Sequence, residues 1–328
     1  MSSAAPCLIR QPRALTQAAA GFGTAIPFGG TAELMEAEKS AAVNTHHLSS
    51  KAGMQGRAIM LTEEAETSLI TLYAKAVESR MSDSILRDTF ADGVVRELNY
   101  DFSRLQVDPD SIIGIAVRAK ILDEWTQEFL AANPMALVLH LGCGLDSRVF
   151  RLDPPRSVYW CEVDLPEVIA LRRSIYPRRL GCHLLGSSVT GRSWLDKLPT
   201  GRPTMILAEG LLLYLKEHEI QHLLSRLTTH FKRGQLAFDG YDRFSLELLK
   251  ASPMIRVTGA SIHWGMDDPR ELEALVPQLH CEEELIRFDP AQIARLSWFM
   301  RIAISCREII PPLRQSCGLL RYRFDDCQ

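Results

Sequence analysis

The second half of the chain predicts an α/β fold built on a parallel sheet. After Pro134, short apolar runs alternate with amphipathic segments that have helical spacing. Such alternation is typical of a parallel sheet that helices cover on both faces. Strands of this kind are buried on both sides and therefore appear as nearly continuous apolar runs. We expect ligands to bind where these strands end, beside the point at which strand order reverses.

Composition excludes several classes of protein. The 328 residues contain 37 Lys and Arg against 40 Asp and Glu, a net charge of −3. This balance gives no general attraction to nucleic acid or to an anionic membrane surface. No apolar run approaches the roughly 20 residues that a membrane span needs. The 8 cysteines are scattered without metal-ligand spacing, so we expect no metal site. The composition predicts a soluble, cytoplasmic globular protein and leaves its oligomeric state open.

The amino-terminal part differs from the rest in composition. Residues 1–50 are rich in Ala, Gly, Ser and Thr, and Arg10 and Arg13 are the only charges before Glu33. No charged start precedes an apolar run, so a secretory signal is not expected. We predict a disordered tail, with a mitochondrial presequence as the alternative for an Arg-containing, acid-poor start.

Residues 51–132 are predicted to form a helical cap of three helices. The first begins at a Thr62 cap in LTEEAETSLITLYAKAVESR, and the second begins at a Ser82 cap in SDSILRDTFADGVVREL. The third extends over residues 111–130, where apolar side chains recur at helical spacing. Arg118 lies within this third helix and points out of its apolar face. It either extends past that face to solvent or faces an anionic ligand.

Residues 133–328 are predicted to form the sheet domain. Its five successive strands are MALVLHL, SVYWCEV, CHLLGSS, TMILAEG and QLAFDGY. Two later stretches, at 280–287 and 318–324, are predicted to add edge strands. The segment 241–270 follows the fifth strand and is predicted to form a lid, because it carries the apolar and aromatic side chains Tyr241, Phe244, Met254, Ile255, Ile262 and Trp264.

The strand ends carry the residues typical of a nucleotide site. The first strand ends in LGCGLDSR, where Gly142 and Gly144 permit a tight turn close to a ligand. A dinucleotide-binding loop would have a third glycine, where this chain has Ser147. The second strand ends with Glu162 and Asp164, about 20 residues further on, where an acid binds ribose hydroxyls. The alternative for Asp164 is a helix N-cap.

The fourth strand ends in AEGLLLYL, which places an acid inside an otherwise apolar run. Burying an unpaired carboxylate is costly, so we interpret Glu209 as part of a site.

Nine blocks of the chain, from Thr62 to Phe324, together resemble one family. They are LTEEAETSLITLYAKAVESR, VRAKILDEW, LGCGLDSRVFRLD, WCEVDLPEVIALRR, SSVTGRSWLD, AEGLLLYLKEHEI, FDGYDRF, WGMDDPRELE and RYRF. The chain resembles the class I S-adenosylmethionine methyltransferases of the leucine carboxyl methyltransferase type, and within them the tetracenomycin-type polyketide O-methyltransferases. The resemblance implies a Rossmann-like, seven-stranded sheet and S-adenosylmethionine as the cofactor.

The resemblance also implies cofactor contacts. Arg118 would hold the methionine carboxylate, and Gly142 and Gly144 would lie under the same moiety. Asp164, or Glu162 beside it, would bind the ribose. Glu209 would lie near the sulfonium end. Ser188 would contact the adenine, at a position where the carboxyl methyltransferase branch has an Asp. The acid that many methyltransferases carry before the first glycine is His140 here.

An acceptor phenol benefits from a base, whereas a carboxylate needs none. The proposed bases or orienting groups are Tyr214, Asp239, His263 and His140. His140 lies within a strand, so a core position is the preferred interpretation for it. Each has a structural alternative: Tyr214 packs under a helix, and Asp239 caps one.

We predict O-methylation of a small secondary metabolite, a polyketide-like phenol or carboxylate. The alternatives are N-methylation of a peptide-derived or other amine and carboxyl methylation of a protein C-terminus. A nicotinamide oxidoreductase would share the sheet but lacks its third glycine here, and a non-catalytic relative would be expected to lose Arg118 or the glycines.

Overall fold

The computed structural model describes residues 63–285, 289–309 and 318–325. The predictions for the tail and for the Thr62 cap lie outside these residues. The helices, numbered in chain order, are α1 Glu63–Ser79, α2 Thr89–Glu97, α3 Pro109–Ala132, α4 Arg148–Leu152, α5 Pro166–Ile175, α6 Glu217–His230, α7 Arg243–Ala251, α8 Pro253–Thr258, α9 Arg270–Leu275, α10 Pro290–Ile293 and α11 Trp298–Ile309.

The described residues form seven strands in one sheet, in the order β3-β2-β1-β4-β5-β7-β6. The first five strands are parallel, and β7 runs antiparallel to both of its neighbours. The strand bounds are β1 Leu137–Leu141, β2 Tyr159–Asp164, β3 Cys182–Gly186, β4 Thr204–Ala208, β5 Arg233–Asp239, β6 Leu279–Leu285 and β7 Leu319–Asp325.

Apolar side chains cover both faces of this sheet. On one face, Val117 and Trp125 of α3 pack against the strands through Val138 and Met205. On the other face, the apolar side of α6 packs against alternate residues of the same strands, such as Leu139 and Ile206. Because consecutive strand residues point to opposite faces, each apolar run contributes to both cores.

The long helix α3 begins and lies as its sequence predicts. The Asp108 side chain accepts a hydrogen bond from the Ser111 amide at 2.9 Å, and Pro109 occupies the first turn. One face of the helix is buried on the sheet, and α1 packs against it. Arg118 lies where α3 passes the strand ends.

The second predicted helix begins later than its sequence suggests. The prediction placed a cap at Ser82, whereas α2 begins at Thr89 and the Asp88 side chain caps it. The carboxylate of Glu78 accepts hydrogen bonds from the Ile85 and Leu86 amides at 2.8 and 3.3 Å. These bonds take up amide groups that a longer helix would use, so the segment before Asp88 is irregular.

The last strand is interior, which corrects the prediction of two edge strands. β6 lies at the edge of the sheet, but β7 pairs with both β5 and β6. Leu320, Tyr322 and Phe324 alternate along β7 and are buried, as a strand covered on one face requires. The division into a cap at 51–132 and a sheet domain at 133–328 stays a prediction. No described helix has the length and apolarity to cross a membrane.

Candidate functional site

A cavity of about 700 Å³ opens at the carboxyl ends of the parallel strands. The ends of β1, β2, β4 and β5 contribute to its wall, together with α1 and α3. Strand order reverses here, because β1 lies between β2 and β4, and open α/β sheets bind ligands at such a point. The predicted site residues that line the cavity are Arg118, His140, Gly142, Gly144, Asp164, Ser188, Glu209, Tyr214 and Asp239.

The loop after β1 exposes backbone at the cavity wall. Gly142 and Gly144 have φ angles of 56° and 50°, a region that side chains disfavour. A Cβ on Gly142 would lie 2.8 Å from the Leu211 side chain, and one on Gly144 would lie 3.0 Å from that of Ser68. Both positions therefore need glycine, and the bare backbone they provide fits a closely approaching cofactor.

Asp164 ends β2 with its carboxylate at the cavity. Its Oδ2 accepts a hydrogen bond from the Gly144 amide at 2.6 Å, and its Oδ1 accepts one from the Leu165 amide at 2.7 Å. Burial raises the pKa of this carboxyl, while the two amide donors oppose the rise. Helix α5 begins without a side-chain cap, so Asp164 does not serve as its N-cap.

Glu162 does not reach the cavity, which corrects its prediction as a cofactor ligand. Its carboxylate pairs with the guanidinium of Arg172 from α5, and both side chains are 1% exposed. Burial raises the pKa of Glu162, and the Arg172 charge opposes that rise. The spacing of two residues placed both acids on one face of β2, but only Asp164 lies at the strand end. An arginine from the following helix holds the other acid inside the protein.

Arg118 extends into the cavity rather than to solvent. Its guanidinium donates hydrogen bonds to Asp239 at 2.8 Å, to Glu209 at 3.2 Å and to the Tyr241 hydroxyl at 3.2 Å. Burial would lower the pKa of Arg118, but the Asp239 and Glu209 carboxylates hold it well above the usual value. The side chain therefore stays charged at the junction of β4 and β5.

Glu209 forms ion pairs with three cations. Its carboxylate lies 3.1 Å from the Lys75 ammonium, 3.2 Å from Arg118 and 2.5 Å from Arg148. Burial would raise the pKa of Glu209, but Lys75, Arg148 and Arg118 hold it far below its usual value. The costly buried acid noted in the sequence is thus paired, and it stays ionised.

A wider ion-pair cluster extends from the cavity wall into the protein, and sequence reasoning missed most of it. Asp146 of the glycine loop pairs with Lys75 at 2.9 Å and with Arg151 at 3.1 Å. Among the described residues the cluster contains four cations and five carboxylates, joined by ion pairs shorter than 4 Å. Its members are Lys75, Arg118, Arg148, Arg151, Asp88, Asp123, Asp146, Glu209 and Asp239.

The proposed bases differ in how free they are. Both oxygens of Asp239 are engaged, because Oδ1 accepts from the Gly210 amide at 2.5 Å and Oδ2 accepts from Arg118 at 2.8 Å. Tyr214 lines the cavity, and burial raises its pKa. His140 is buried in β1 beside Arg148, and burial with that charge lowers its pKa to about 3. It is therefore neutral at pH 7.

His263 does not line the cavity. Its side chain is exposed, and its backbone amide donates to the Leu213 carbonyl at 2.8 Å. The neighbouring aromatic residue Trp264 is buried in the core with Phe238. The side chain of His263, one residue earlier, therefore faces outward. Ser188 does line the cavity, and its hydroxyl lies 2.8 Å from that of Thr190.

The predicted lid residues separate into two groups. Tyr241, Met254 and Ile255 line the cavity. Ile262 and Trp264 are only 6% exposed and pack in the cores instead, while Phe244 faces away and is 60% exposed. Other apolar residues that line the cavity include Ile70, Ile115, Leu213, Leu215 and Leu249, and of these Leu213 and Leu249 pack with Ile255.

Known proteins resemble this chain in sequence and fold. A family model described as leucine carboxyl methyltransferase matches residues 68–228. Tetracenomycin polyketide synthesis O-methyltransferase TcmP of Streptomyces glaucescens is 41% identical over 269 residues, which cover 82% of this chain and 100% of that protein. The S-adenosyl-L-methionine-dependent methyltransferase dpfgK of Gibberella zeae is 36% identical over 73% of this chain and 88% of its own length.

A solved structure supports the fold. The crystal structure of a DUF574 family protein from Streptomyces avermitilis matches with a TM-score of 0.51. The match covers 80% of this chain and 99% of that one at 11% identity, so it bears on the fold alone. The predicted α/β sheet and the predicted S-adenosylmethionine cofactor are confirmed by these comparisons. The chain belongs to the leucine carboxyl methyltransferase family and is an S-adenosylmethionine-dependent methyltransferase.

Proposed function

We propose that the protein methylates an oxygen of a small secondary metabolite, a polyketide-like phenol or carboxylate, in the cytoplasm. The observation that carries the proposal is that one cavity is lined both by charged groups and by an apolar cluster, in which Leu213, Leu249 and Ile255 pack together. The glycine loop, Asp164, Arg118 and Lys75 line the charged part. A lipophilic acceptor fits the apolar part, and the O-methyltransferase TcmP, which acts in polyketide synthesis, is 41% identical to this chain.

The charged part fits S-adenosylmethionine. Arg118 and Lys75 are the cations that line the cavity, and either can bind the methionine carboxylate. Asp164 would accept hydrogen bonds from the ribose hydroxyls, and Ser188 would contact the adenine. Glu209 would lie near the sulfonium. The ion-pair cluster contains one more carboxylate than cations, and this excess complements the net positive charge of the cofactor.

Methyl transfer requires the protein to align the reacting groups rather than to activate them. Bound S-adenosylmethionine would supply an electrophilic methyl group for an acceptor oxygen, and its sulfur would keep the electron pair of the broken bond. The residues of the cavity would orient the acceptor and exclude water. Apolar side chains that line the cavity, such as Met254 and Ile255, would both orient the acceptor and exclude water.

The state of the cavity carboxylates favours an acceptor that arrives ionised. Asp146 and Glu209 pair with the buried Lys75, Asp239 pairs with Arg118, and Asp164 accepts from two amides. The paired cations hold the pKa values of Asp146 and Glu209 well below the usual range, which makes these two carboxylates poor proton acceptors. A carboxylate acceptor is ionised at pH 7 and needs no base, whereas a phenol needs one. Within the proposal, the carboxylate is therefore the preferred acceptor.

Cofactor binding is tested by calorimetric titration with S-adenosylhomocysteine and by thermal melting. We expect measurable heat and a higher melting temperature, because a ligand that binds the native state stabilises it. The matched variant is Asp164→Ala, which removes a cavity carboxylate and should weaken binding. Absence of heat and of a thermal shift at millimolar ligand would contradict the proposed site.

The acceptor is tested by incubating the enzyme and methyl-labelled cofactor with extracts of a producer strain that lacks this gene. We expect one product heavier by a methyl group, and base hydrolysis should release the label from a carboxyl ester. Label on a phenol would keep O-methylation and remove the preference for a carboxylate. Label on an amine nitrogen or on a protein C-terminus would overturn the proposed acceptor while leaving the cofactor site intact.

A further inference from the structure

One buried arginine contacts the glycine loop from the side of α5. Nη1 of Arg172 donates to the Gly144 carbonyl at 2.9 Å and to the Asp146 carbonyl at 2.8 Å. The side chain is 1% exposed. The carbonyl between these two, that of Leu145, accepts from the Tyr176 hydroxyl at 2.6 Å. Donors from α5 and its C-cap thus hold three successive carbonyls of the loop.

Two neighbours hold Arg172 in this position. Its other terminal nitrogen, Nη2, donates to the Glu162 carboxylate of β2. Its guanidinium carbon lies 5.1 Å from the centre of the Tyr176 ring, within the range of a cation–π contact. Glu162 and Tyr176 therefore fix the guanidinium from two sides and leave Nη1 directed at the loop.

The contacts of Arg172 determine how the loop presents its backbone. In a trans peptide the C=O and N–H groups point in opposite directions, so fixing the Gly144 and Asp146 carbonyls also fixes the amides that follow them. The Gly144 amide is held in turn by Asp164, and the Asp146 side chain pairs with Lys75. Arg172 is thereby linked to two groups at the cavity without lining it.

The ion pair between Arg172 and Glu162 is poorly explained as a contribution to stability alone. A buried ion pair is often no more stabilising than apolar side chains of similar volume, because both charges lose their hydration. Nε of Arg172 has no hydrogen-bond partner among the described residues, so the guanidinium is not placed to satisfy its own donors fully. Its placement instead gives two hydrogen bonds to the loop.

We propose that Arg172 is a positioning residue for cofactor binding, with Glu162 as the group that orients it. The inference rests on the proposed cofactor site. The pair holds the loop at Gly144 and Asp146 in the conformation that the cofactor meets, so its loss weakens cofactor binding without altering the acceptor end of the cavity. Lysine cannot replace the arginine, because one ammonium group cannot reach two carbonyls and the carboxylate in the same geometry.

The test compares Arg172→Lys with Arg202→Lys. Arg202 also donates to two backbone carbonyls, those of Met135 and Ser157 at 3.1 and 2.8 Å, but it does not line the cavity or contact the glycine loop. The dissociation constant of S-adenosylhomocysteine is measured by calorimetry on folded protein. We expect an increase of about 10- to 100-fold for Arg172→Lys, the size of effect that misplaced binding groups produce, and a change below about twofold for Arg202→Lys.

Three further measurements separate positioning from stability. Amide hydrogen exchange over residues 142–147, without cofactor, should be faster in Arg172→Lys than in the wild type. In steady-state kinetics the KM for S-adenosylmethionine should rise while the KM for the acceptor stays the same. Glu162→Gln, which keeps the side-chain volume and a hydrogen-bond acceptor, should show a smaller rise of the same dissociation constant, and it serves as the test if Arg172→Lys does not fold.

The outcomes distinguish this inference from the proposed function. If the wild type does not bind S-adenosylhomocysteine, the cofactor site itself is misplaced, and the inference falls with it. If the wild type binds and both folded variants, Arg172→Lys and Glu162→Gln, bind as tightly as Arg202→Lys, the inference alone is overturned. If Arg172→Lys and Glu162→Gln lower the melting temperature equally and leave the affinity for S-adenosylhomocysteine unchanged, the Arg172–Glu162 pair contributes to stability only.

Discussion

The floor and the roof of the cavity are built in opposite ways. The floor consists of the loops after β1, β2, β4 and β5, where charged groups are buried and joined by directional bonds. The roof consists of α7 and α8, where apolar side chains line the cavity and others face solvent, with Phe244 60%, Leu248 59% and Val257 39% exposed. Hydrogen bonds and ion pairs therefore fix the side chains of the floor, whereas the roof is an apolar surface whose shape determines what it can contact.

This difference matches two different binding tasks. A cofactor with fixed charges is best bound by groups already held in place, because little entropy is then lost on binding. An apolar acceptor needs a surface of the right size and only a few polar contacts. A change in the floor should therefore affect stability and cofactor affinity together, whereas a change in the roof should affect the acceptor alone.

The largest effect is expected from removing the acid at the centre of the floor. Glu209→Ala leaves Lys75, Arg118 and Arg148 without their shared partner. Breaking a buried ion pair from one side costs about 3–5 kcal/mol, because it leaves uncompensated charge. We expect a loss of this size in the free energy of unfolding, measured by urea denaturation.

The matched control lies in the roof. Glu247 pairs with Lys250 at 2.7 Å, but its side chain is 69% exposed. Exposed pairs contribute roughly 0–1 kcal/mol, so Glu247→Ala should change the unfolding free energy little. A cost of Glu209→Ala no greater than that of Glu247→Ala would show that the floor is not held together by its ion pairs.

The second effect concerns cofactor affinity. Arg118→Ala removes the charge-assisted contact that we propose with the methionine carboxylate, at a cost on the order of 2–4 kcal/mol. The dissociation constant for S-adenosylhomocysteine should rise by roughly 30- to 1,000-fold, while circular dichroism shows a folded protein. Arg256→Ala, an exposed position on α8, is the control. Unchanged affinity in Arg118→Ala would assign the guanidinium to the ion-pair cluster alone.

The sequence predicted the fold well because the fold depends on local pattern. Apolar runs between turn signals identified the strands, and the strand ends identified Gly142, Asp164 and Glu209 as neighbours of one cavity. The exceptions have local causes that a pattern does not contain. The Glu78 carboxylate takes the amides on which a longer α2 depends, and β7 enters the sheet antiparallel between two strands that precede it.

The candidate site was predicted less completely because it depends on partners distant in sequence. Lys75 lies three residues after Leu72 on the buried stripe of α1, a position where a lysine is unusual, and this signal was available. Nothing local shows that its partner is Asp146, 71 residues away. The same limit explains Glu162, whose face on the strand was evident but whose partner Arg172 was not. His263 faced outward because the adjacent tryptophan is buried.

A smaller effect is expected in the roof. Met254→Ala shortens an apolar side chain that lines the cavity, and losing part of its burial against an acceptor costs about 1–2 kcal/mol. The KM for the acceptor should rise roughly 5- to 30-fold, while the dissociation constant of S-adenosylhomocysteine stays within about twofold. Val257→Ala, on the same helix but 39% exposed and outside the cavity lining, should change neither. A Met254→Ala variant with weakened cofactor binding would contradict the separation of roof from floor.

The last effect is a dependence of stability on pH that belongs to the floor. Burial beside Arg148 lowers the pKa of His140 to about 3 in the folded protein, whereas an unfolded histidine has a pKa of about 6.5. Between these values the unfolded chain binds more protons, so the unfolding free energy falls as pH decreases, by at most about 1.4 kcal/mol per pH unit. Below about pH 4.5, the lowered pKa values of Asp146 and Glu209 add a loss of the same sign. Urea denaturation of the wild type and of His140→Gln from pH 7 to pH 5 isolates the histidine, and His140→Gln, which keeps an acceptor for Arg148, should flatten the curve. Equal slopes in the wild type and in His140→Gln would show that this histidine is protonated as easily in the folded protein as in the unfolded chain.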